Sequence, residues 1–460
     1  MADTASRKLV IAVIGAGIGG LAVVCALERF CDMSKLDVHL YESAAQISEL
    51  GAGLSIWQRV YDILVDLGLE SDMQKYLENA ETASFTFRKS DQPEGVKFKE
   101  VCAEDGGKMF LLHRAEIQGM LLAHISSQVK IHLSHRLDGY EYTEAPTEKI
   151  KLRFRDGQEA RCDLLIAADG VHSVVRRQFV ARLADKLGKP DMKQAMEPEY
   201  DGSRIYRGLV PQEKPATVWR DHPALTKPYV YCGKDKYIVT YPIVKGQLIN
   251  VALFYTDKTG VDTSYTGSDI GDATTEEMIE MYQGWEPQVE ALIKCMPNPS
   301  RHWVLLTQRP LETWADEGVM LLGDAAHAMA PNLGTGASQA IEDGYILARV
   351  LAHAQAQGPL EILSPDTMAL YNRLRPPIAN FVQARAKLQN QLVTFDGECA
   401  DMSLVEADLS LAEAESRSPM HADADRLTKL GNGILDGLHW YKHRIVRETD
   451  AAVKKALAAQ

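Results

Sequence analysis

Six residues near the start of the chain, Gly15-Ala16-Gly17-Ile18-Gly19-Gly20, have the types and spacing that cradle a dinucleotide, and Glu42 follows at the right distance. Gly15 permits a tight turn after a strand, Gly17 lets backbone approach a pyrophosphate, and Gly20 lets a helix pack close to the strand. The helix N-terminus adds up to about 2 kcal/mol toward an anion. A carboxylate about 20 residues beyond the glycines, here Glu42, can accept from a ribose hydroxyl. A glycine-rich turn without a ligand is the bland alternative, and on this motif alone NAD competes with FAD.

Two further segments repeat the design. Leu164-Leu165-Ile166-Ala167-Ala168 ends in Asp169-Gly170 and enters a basic helix through His172, Ser173 and Arg176. Val319-Met320-Leu321-Leu322 ends in Gly323-Asp324 and passes through His327, Pro331 and Asn332. It then turns at Gly334-Thr335-Gly336-Ala337 into another helix, read as Ser338–Leu351. An Asp at a strand end can hold a polyol hydroxyl, and N–H groups at a helix start can face an electron-rich ring edge. Either segment alone also fits a strand–turn–helix with a capping Asp; their order after the glycine loop carries the reading.

Elements must deliver these loops. Leu9–Ile14 reads as a buried parallel strand, Gly19–Phe30 as its helix and Leu36–Glu42 as the next strand, a βαβ unit. Between about 200 and 295 the texture changes. Tyr229–Tyr231, Tyr237–Tyr241 and Leu248–Phe254 are aromatic and β-branched, with Lys-Gly turns between them, which predicts a mostly antiparallel sheet. Beyond Pro376-Pro377 the pattern is helical, with a charged stretch around 400–427. The expectation is an α/β protein. Residues 1–184 and 296–375 would form a discontinuous Rossmann-type domain, 185–295 an inserted β-sheet substrate domain, and 376–460 a C-terminal helical region.

Composition narrows the partners. The net charge of -13 repels nucleic acid and anionic membrane, so an anionic ligand must be held by local donors. Seven dispersed cysteines without a C-x-x-C pair suit a reducing compartment and give no metal-type cluster. No apolar stretch reaches the roughly 20 residues of a bilayer span, and the start lacks a signal-peptide core. The cytosol is the expected location.

With the three segments in place, the chain resembles the single-component flavoprotein aromatic hydroxylases, p-hydroxybenzoate and salicylate hydroxylases among them. The likeness covers almost the whole length. It includes Glu49-Leu50-Gly51-Ala52-Gly53, Leu112-His113-Arg114, Arg207-Gly208-Leu209 and Tyr241-Pro242. It continues through the basic run Tyr371–Pro377 to a late Trp440-Tyr441. The subgroup is similar to salicylate hydroxylases and fungal phenolic-acid hydroxylases, dearomatising ones included.

That resemblance implies a p-hydroxybenzoate hydroxylase-like fold, FAD as cofactor, and NAD(P)H and O2 as co-substrates. The implied oxidant is a flavin C4a-hydroperoxide attacking an electron-rich ring carbon, with the protein orienting groups and excluding water. By family position Arg114 binds the pyrophosphate or ribityl chain, and Asp324 a ribityl or phosphate-adjacent group. Gly336 and Ala337 face the flavin N1–C2=O edge, and Pro331 lies beside the isoalloxazine. Asp169, Ser173 and Arg176 would support FAD and the approach of NAD(P)H.

Arg207 and Tyr241, from the roof over the flavin, are the substrate candidates. An Arg can clamp a carboxylate or phenolate bidentately, and a Tyr can hydrogen-bond a phenolate. The alternatives are a buried ion pair for Arg207 and a core aromatic for Tyr241. His327 and His172 are further candidate bases, with His327 expected rather to pack or hydrogen-bond near the cofactor. Asn332-Leu333-Gly334-Thr335 and Trp57-Gln58-Arg59 depart from the subgroup's usual residues near the pocket, which leaves substrate identity open. The expected reaction is hydroxylation of a phenolic acid, salicylate-like with decarboxylative ipso-hydroxylation, by a monomer or homodimer. A hydroxylase of a larger phenolic metabolite and a non-hydroxylating flavin redox sensor are the alternatives.

Overall fold

Leu9–Ile14 is apolar on both faces, so it fits only inside a parallel sheet covered by helices on both sides. The computed structural model, which describes residues 7–47, 53–77, 84–102, 107–243, 246–257, 268–358, 364–396 and 427–435, places it there. It pairs in parallel with Leu36–Tyr41 on one side and Leu164–Ala167 on the other. Val319–Leu321 pairs in parallel with Leu164–Ala167, and Lys130–His132 and Ala315–Asp316 complete the six strands. Consequently the glycine loop, Asp169-Gly170 and Gly323-Asp324 emerge at the carboxyl ends of three adjacent parallel strands, where α/β sheets bind ligands. The helices Ile18–Phe30 and Gly336–Gln357 cover this sheet; the second starts two residues before the predicted Ser338.

The second sheet has eight strands. Its order is Ile270–Ala273, Ser300–Thr307, Glu199–Pro211, Leu248–Thr256, Lys236–Ile243, Tyr229–Gly233, Ser84–Lys89 and Val96–Cys102. Every pair is antiparallel except Tyr229–Gly233 with Ser84–Lys89. The sheet therefore reaches beyond 185–295, taking strands from 84–102 and 300–307. Ser84–Lys89, with Phe85 and Phe87, is as aromatic as the central strands but lies far from them in sequence, and Val96–Cys102, at the edge, interleaves Lys97, Lys99 and Glu100 with apolar residues.

Period-two alternation gives this sheet two apolar faces. Tyr206, Val251 and Leu253 pack on the helices Thr275–Met281 and Pro287–Cys295 through Met278 and Leu292. Ile205, Phe254 and Tyr237, from alternate positions, share a core with Val382, Ala386 and Val393 of the helix Pro376–Val393. A further helical segment at 427–435 joins the same core through Leu430 and Ile434. The charged stretch at 400–427, the Glu49–Ala52 part of the Glu49–Gly53 motif and Trp440-Tyr441 lie outside the described residues, apart from Leu427 itself.

Candidate active site

The glycine loop is shaped by what its residues lack. Gly15 has φ +100°, and a Cβ there would lie 2.3 Å from the Ala168 carbonyl oxygen. At Gly20 a Cβ would lie 1.9 Å from the Gly15 carbonyl oxygen, so neither position accepts a side chain. Gly17 is the opposite case: nothing lies within 4 Å of its Cβ position. It is the N-cap of Ile18–Phe30 and offers no side-chain cap, which leaves first-turn N–H groups for an anion. Glu42, just past its strand, accepts from the Ala16 and Ala44 N–H groups, both at 2.8 Å, and from Ser43 Oγ at 3.0 Å.

A cavity of about 670 Å³ runs from these loops to the second sheet. At the loop end it is lined by Gly17, Ala168, Gly170, Gly323, Asp324 and Arg114. Asp324 is exposed while Gly323 and Ala325 beside it are buried, so its carboxylate is turned outward. Thr335 gives the Gly336–Gln357 helix no side-chain cap, and Gly336 and Ala337 line the cavity with Pro331. Arg114 opens the helix Arg114–Ala123 behind a capping box of His113 and Glu116. A diphosphate groove, a carboxylate for a polyol and an uncapped helix start together fit a flavin dinucleotide.

Asp169 sits differently from its predicted role. Its Oδ1 accepts from Ser173 Oγ at 2.5 Å, and its Oδ2 from the Val174 and Val175 N–H groups at 2.8 and 3.3 Å. It caps the helix Val174–Leu187, burial pushes its carboxyl pKa up, and its neighbours Ala168 and Gly170 face the cavity in its place. Ser173 is the N-cap of that helix. Arg176, fully buried, donates to the carbonyls of Ala195, Ala325, Ala326 and Arg309, so it braces the turn after Asp324 from beneath.

His327 is buried, with Nε2 2.6 Å from Asp343 Oδ2; His172 is exposed at the cavity, 2.6 Å from Asp269 Oδ2. A buried charge network behind His327 was not anticipated. Arg375 binds Asp343 and Glu342 at 2.7 Å, Arg59 binds Glu342 at 2.9 Å, and the Gly323 N–H donates to Asp343 at 2.7 Å. Of the departing residues, Trp57 lines the cavity, Gln58 turns to Asp62, and Arg59 enters this network. Two adjacent acids in the otherwise uncharged first half of a helix, Glu342-Asp343, were the available sequence signal.

At the sheet end, Arg207 pairs in register with Ala252 and Tyr241 with Asn250, which puts both side chains on the cavity face. Burial lowers the Arg207 pKa, Tyr241 opposes that shift and Arg114 adds to it. Burial pushes the Tyr241 phenol up, opposed by Arg207. The Tyr241 ring meets Phe85 edge-on at 6.0 Å and lies against Gly53, where a Cβ would sit 2.6 Å from its hydroxyl. Asn332 donates to the Tyr237 hydroxyl at 2.8 Å.

Residues 8–193 and 214–382 match the family described as FAD binding domain. Over 402 residues the chain is 31% identical to a salicylate hydroxylase of Pseudomonas putida, spanning 83% of this chain and 85% of that protein. The chain belongs to the FAD-dependent aromatic monooxygenases. This monooxygenase is also 28% identical over 450 residues to a 6-methylsalicylate 1-monooxygenase of Aspergillus terreus, covering 95% and 90% of the two chains. Its fold is that of a solved salicylate hydroxylase substrate complex, with TM-score 0.71, 24% identity and coverage of 92% and 98%. Klebsiella pneumoniae HpxO, solved with FAD and uric acid, shares the fold at TM-score 0.66, 22% identity and coverage of 94% and 96%. Membership decides the dinucleotide: it is FAD rather than NAD. No described helix of the monooxygenase is long and apolar enough to cross a membrane.

Proposed function

We propose that this monooxygenase uses NAD(P)H and dioxygen to hydroxylate a salicylate-like phenolic acid. In this reading Arg207 holds an anionic oxygen of the substrate and Tyr241 donates to its phenolic oxygen. The observation that carries it is Arg207, a cation drawn into an apolar cavity wall beside Tyr241 with no hydrogen-bond or ion-pair partner among the described residues. A desolvated charge without a partner is costly, and a carboxylate or phenolate offsets that cost with two parallel hydrogen bonds. Tyr241 remains protonated because burial raises its pKa, so it acts as a donor and favours the ionised, more nucleophilic ring.

When bound, FAD would supply the redox chemistry, two-electron transfer from NAD(P)H and activation of O2, with one oxygen atom going to the ring and the other to water. Gly17, Asp324, Gly336 and Ala337, with Arg114 and Glu42, would hold it, and Pro331 would lie along its reacting edge. The apolar sheet face excludes water from that edge. The salicylate hydroxylase and 6-methylsalicylate 1-monooxygenase relatives support a salicylate-like substrate; in this reading its carboxyl-bearing carbon receives the oxygen and the carboxylate leaves as CO2. The dispersed cysteines, described as free thiols at 25, 31, 102, 162, 232 and 295, support work in the cytosol.

A panel of hydroxybenzoates tests this reading through stimulated NADH and NADPH consumption, CO2 release and product mass. Salicylates are expected to stimulate consumption and yield CO2, and Arg207→Met to abolish stimulation while retaining FAD. Strong NAD(P)H oxidation with neither CO2 nor a hydroxylated product would sink the decarboxylating reading. A product that keeps its carboxylate, or is dearomatised, would transfer the assignment to the larger-phenol alternative.

A further inference from the structure

The helix Pro376–Val393 closes the cavity opposite Arg207's strand, and one of its residues is chemically out of place. Val382, Ala386 and Val393 belong to the core shared with Phe87, Ile205 and Tyr237 of the sheet. Gln389 follows this helical spacing and so lies on the same face. It lines the cavity together with Val393 and is only 3% exposed, yet its Oε1 has no hydrogen-bond partner among the described residues.

The neighbouring amides each make hydrogen bonds to the protein. Asn390 Oδ1 accepts from Asn332 Nδ2 at 2.9 Å, which ties this turn of the helix to the segment beginning at Pro331. Across the cavity, Asn250 Oδ1 accepts from the Gly53 N–H at 3.1 Å. Nearly two helix turns earlier, Gln383 Nε2 donates to the carbonyls of Gln308 and Ala328, while its Oε1 is unpartnered but away from the cavity lining. Of the two glutamines on this helix with an unpartnered oxygen, only Gln389 lines the cavity, and its amide makes no hydrogen bond among the described residues. A buried amide oxygen left unmade costs stability, and Met or Leu would fill the same space without that cost.

We propose that Gln389 is a specificity-determining residue, accepting a hydrogen bond from a second ring substituent, hydroxyl or amino, on the substrate. This rests on the phenolic-acid reading above and narrows it to acids carrying an additional donor. The polar groups of the cavity then divide between facing elements: Arg207 and Tyr241 on the sheet take the carboxylate and phenol, and Gln389 on the helix takes the extra substituent. Ala252 and Phe254 leave the ring between them an apolar surface. A hydroxyl or amino group also releases electrons into the ring, which favours attack by an electrophilic oxygen.

The test compares salicylates that carry either a hydroxyl or a methyl at each free ring position, since the two groups are nearly isosteric. Each is titrated into FAD-loaded enzyme, with Kd read from the flavin absorbance change and kcat/KM from NAD(P)H consumption. The native protein is expected to bind at least one hydroxyl isomer about tenfold tighter than its methyl counterpart. In Gln389→Met, which keeps chain length but removes the amide, that ratio should collapse or invert. Equal discrimination in both proteins, no discrimination in the native one, or weakening of hydroxyl and methyl compounds alike would overturn the proposal. Arg207→Met separates the two levels. If it leaves the Kd of every hydroxybenzoate unchanged, the substrate reading fails and the Gln389 assignment with it. If Arg207 matters and the hydroxyl–methyl ratio does not depend on Gln389, only the assignment of Gln389 fails.

Discussion

Glu42 and Asp169 are carboxylates at the ends of the two strands that flank Leu9–Ile14, yet their hydrogen bonds give them different work. Asp169 spends both oxygens on its own helix, through Ser173, Val174 and Val175. Glu42 reaches across to the glycine loop, taking the Ala16 N–H on Oε2 while Oε1 takes Ala44 and Ser43. Its removal therefore loosens the turn that presents Gly17 as well as deleting the proposed ribose acceptor. A hydrogen bond to a charged group is worth roughly 1.5–3 kcal/mol, so Glu42→Ala should weaken FAD binding by about tenfold or more. Substrate-stimulated turnover of the FAD that remains bound should stay near the native rate. Fluorescence titration of FAD into the apoprotein measures the first effect; an unchanged Kd would remove Glu42 from the binding site.

The Gly336–Gln357 helix presents its start to the cavity, and its position depends on the buried charges nearly two turns further along. Asp343 joins it to Gly323, His327 and Arg375, while Glu342 joins it to Arg59 beyond Trp57. Burial pushes the Asp343 carboxyl up, but the charges of His327 and Arg375 and the Gly323 N–H outweigh it, so its pKa lies below the usual carboxylate value. A carboxylate depressed in the folded state stabilises the fold above its unfolded pKa of about 3.9, and that contribution disappears as pH falls through the lower folded value. Asp343→Asn leaves Arg375 and His327 without this counter-charge, which by analogy with broken buried pairs costs roughly 3–5 kcal/mol. Thermal unfolding at neutral pH should show the loss, and the gap between variant and native protein should narrow below about pH 4. A constant gap across that range would mean the destabilisation comes from packing and not from charge.

These same elements show which information is local. The three strand–loop segments were legible because each is a short apolar run followed by a glycine turn, a pattern contained in about ten residues. The pairing of Arg59 with Glu342 joins residues 283 positions apart, and although Glu342-Asp343 marks a charged spot in the helix, nothing near it names the partner. Gln389 was invisible for the same reason. A glutamine in a helix is ordinary until the fold places it, without a hydrogen bond, on a cavity wall. Asp169 was the converse, a local pattern compatible with two roles that only the direction of its hydrogen bonds could separate.

For the whole molecule, the cavity joins two sheets: loops of the parallel sheet form a cradle that fits a dinucleotide, and one face of the mixed sheet, with Arg207 and Tyr241, forms the far wall. Both ligands classes proposed to enter, the nicotinamide dinucleotide and the phenolic acid, are anions approaching a protein of net charge -13. Arg207 and Arg114 attract them inside the cavity, but over longer distances the summed field opposes entry. The Debye length falls from about 30 Å at 0.01 M salt to about 8 Å at 0.15 M, so added salt screens the distant repulsion far more than contacts within the cavity. Raising NaCl across that range should increase kcat/KM for a hydroxybenzoate by roughly two- to fivefold. The change should appear in KM, because the contacts made after entry are short-ranged. A neutral phenol should show almost no change, which separates screening from a general effect of salt on the protein. If kcat/KM for the acid instead falls steeply with salt while the neutral phenol is unaffected, a positive field at the cavity mouth governs capture, and the net charge is the wrong guide to how substrate arrives.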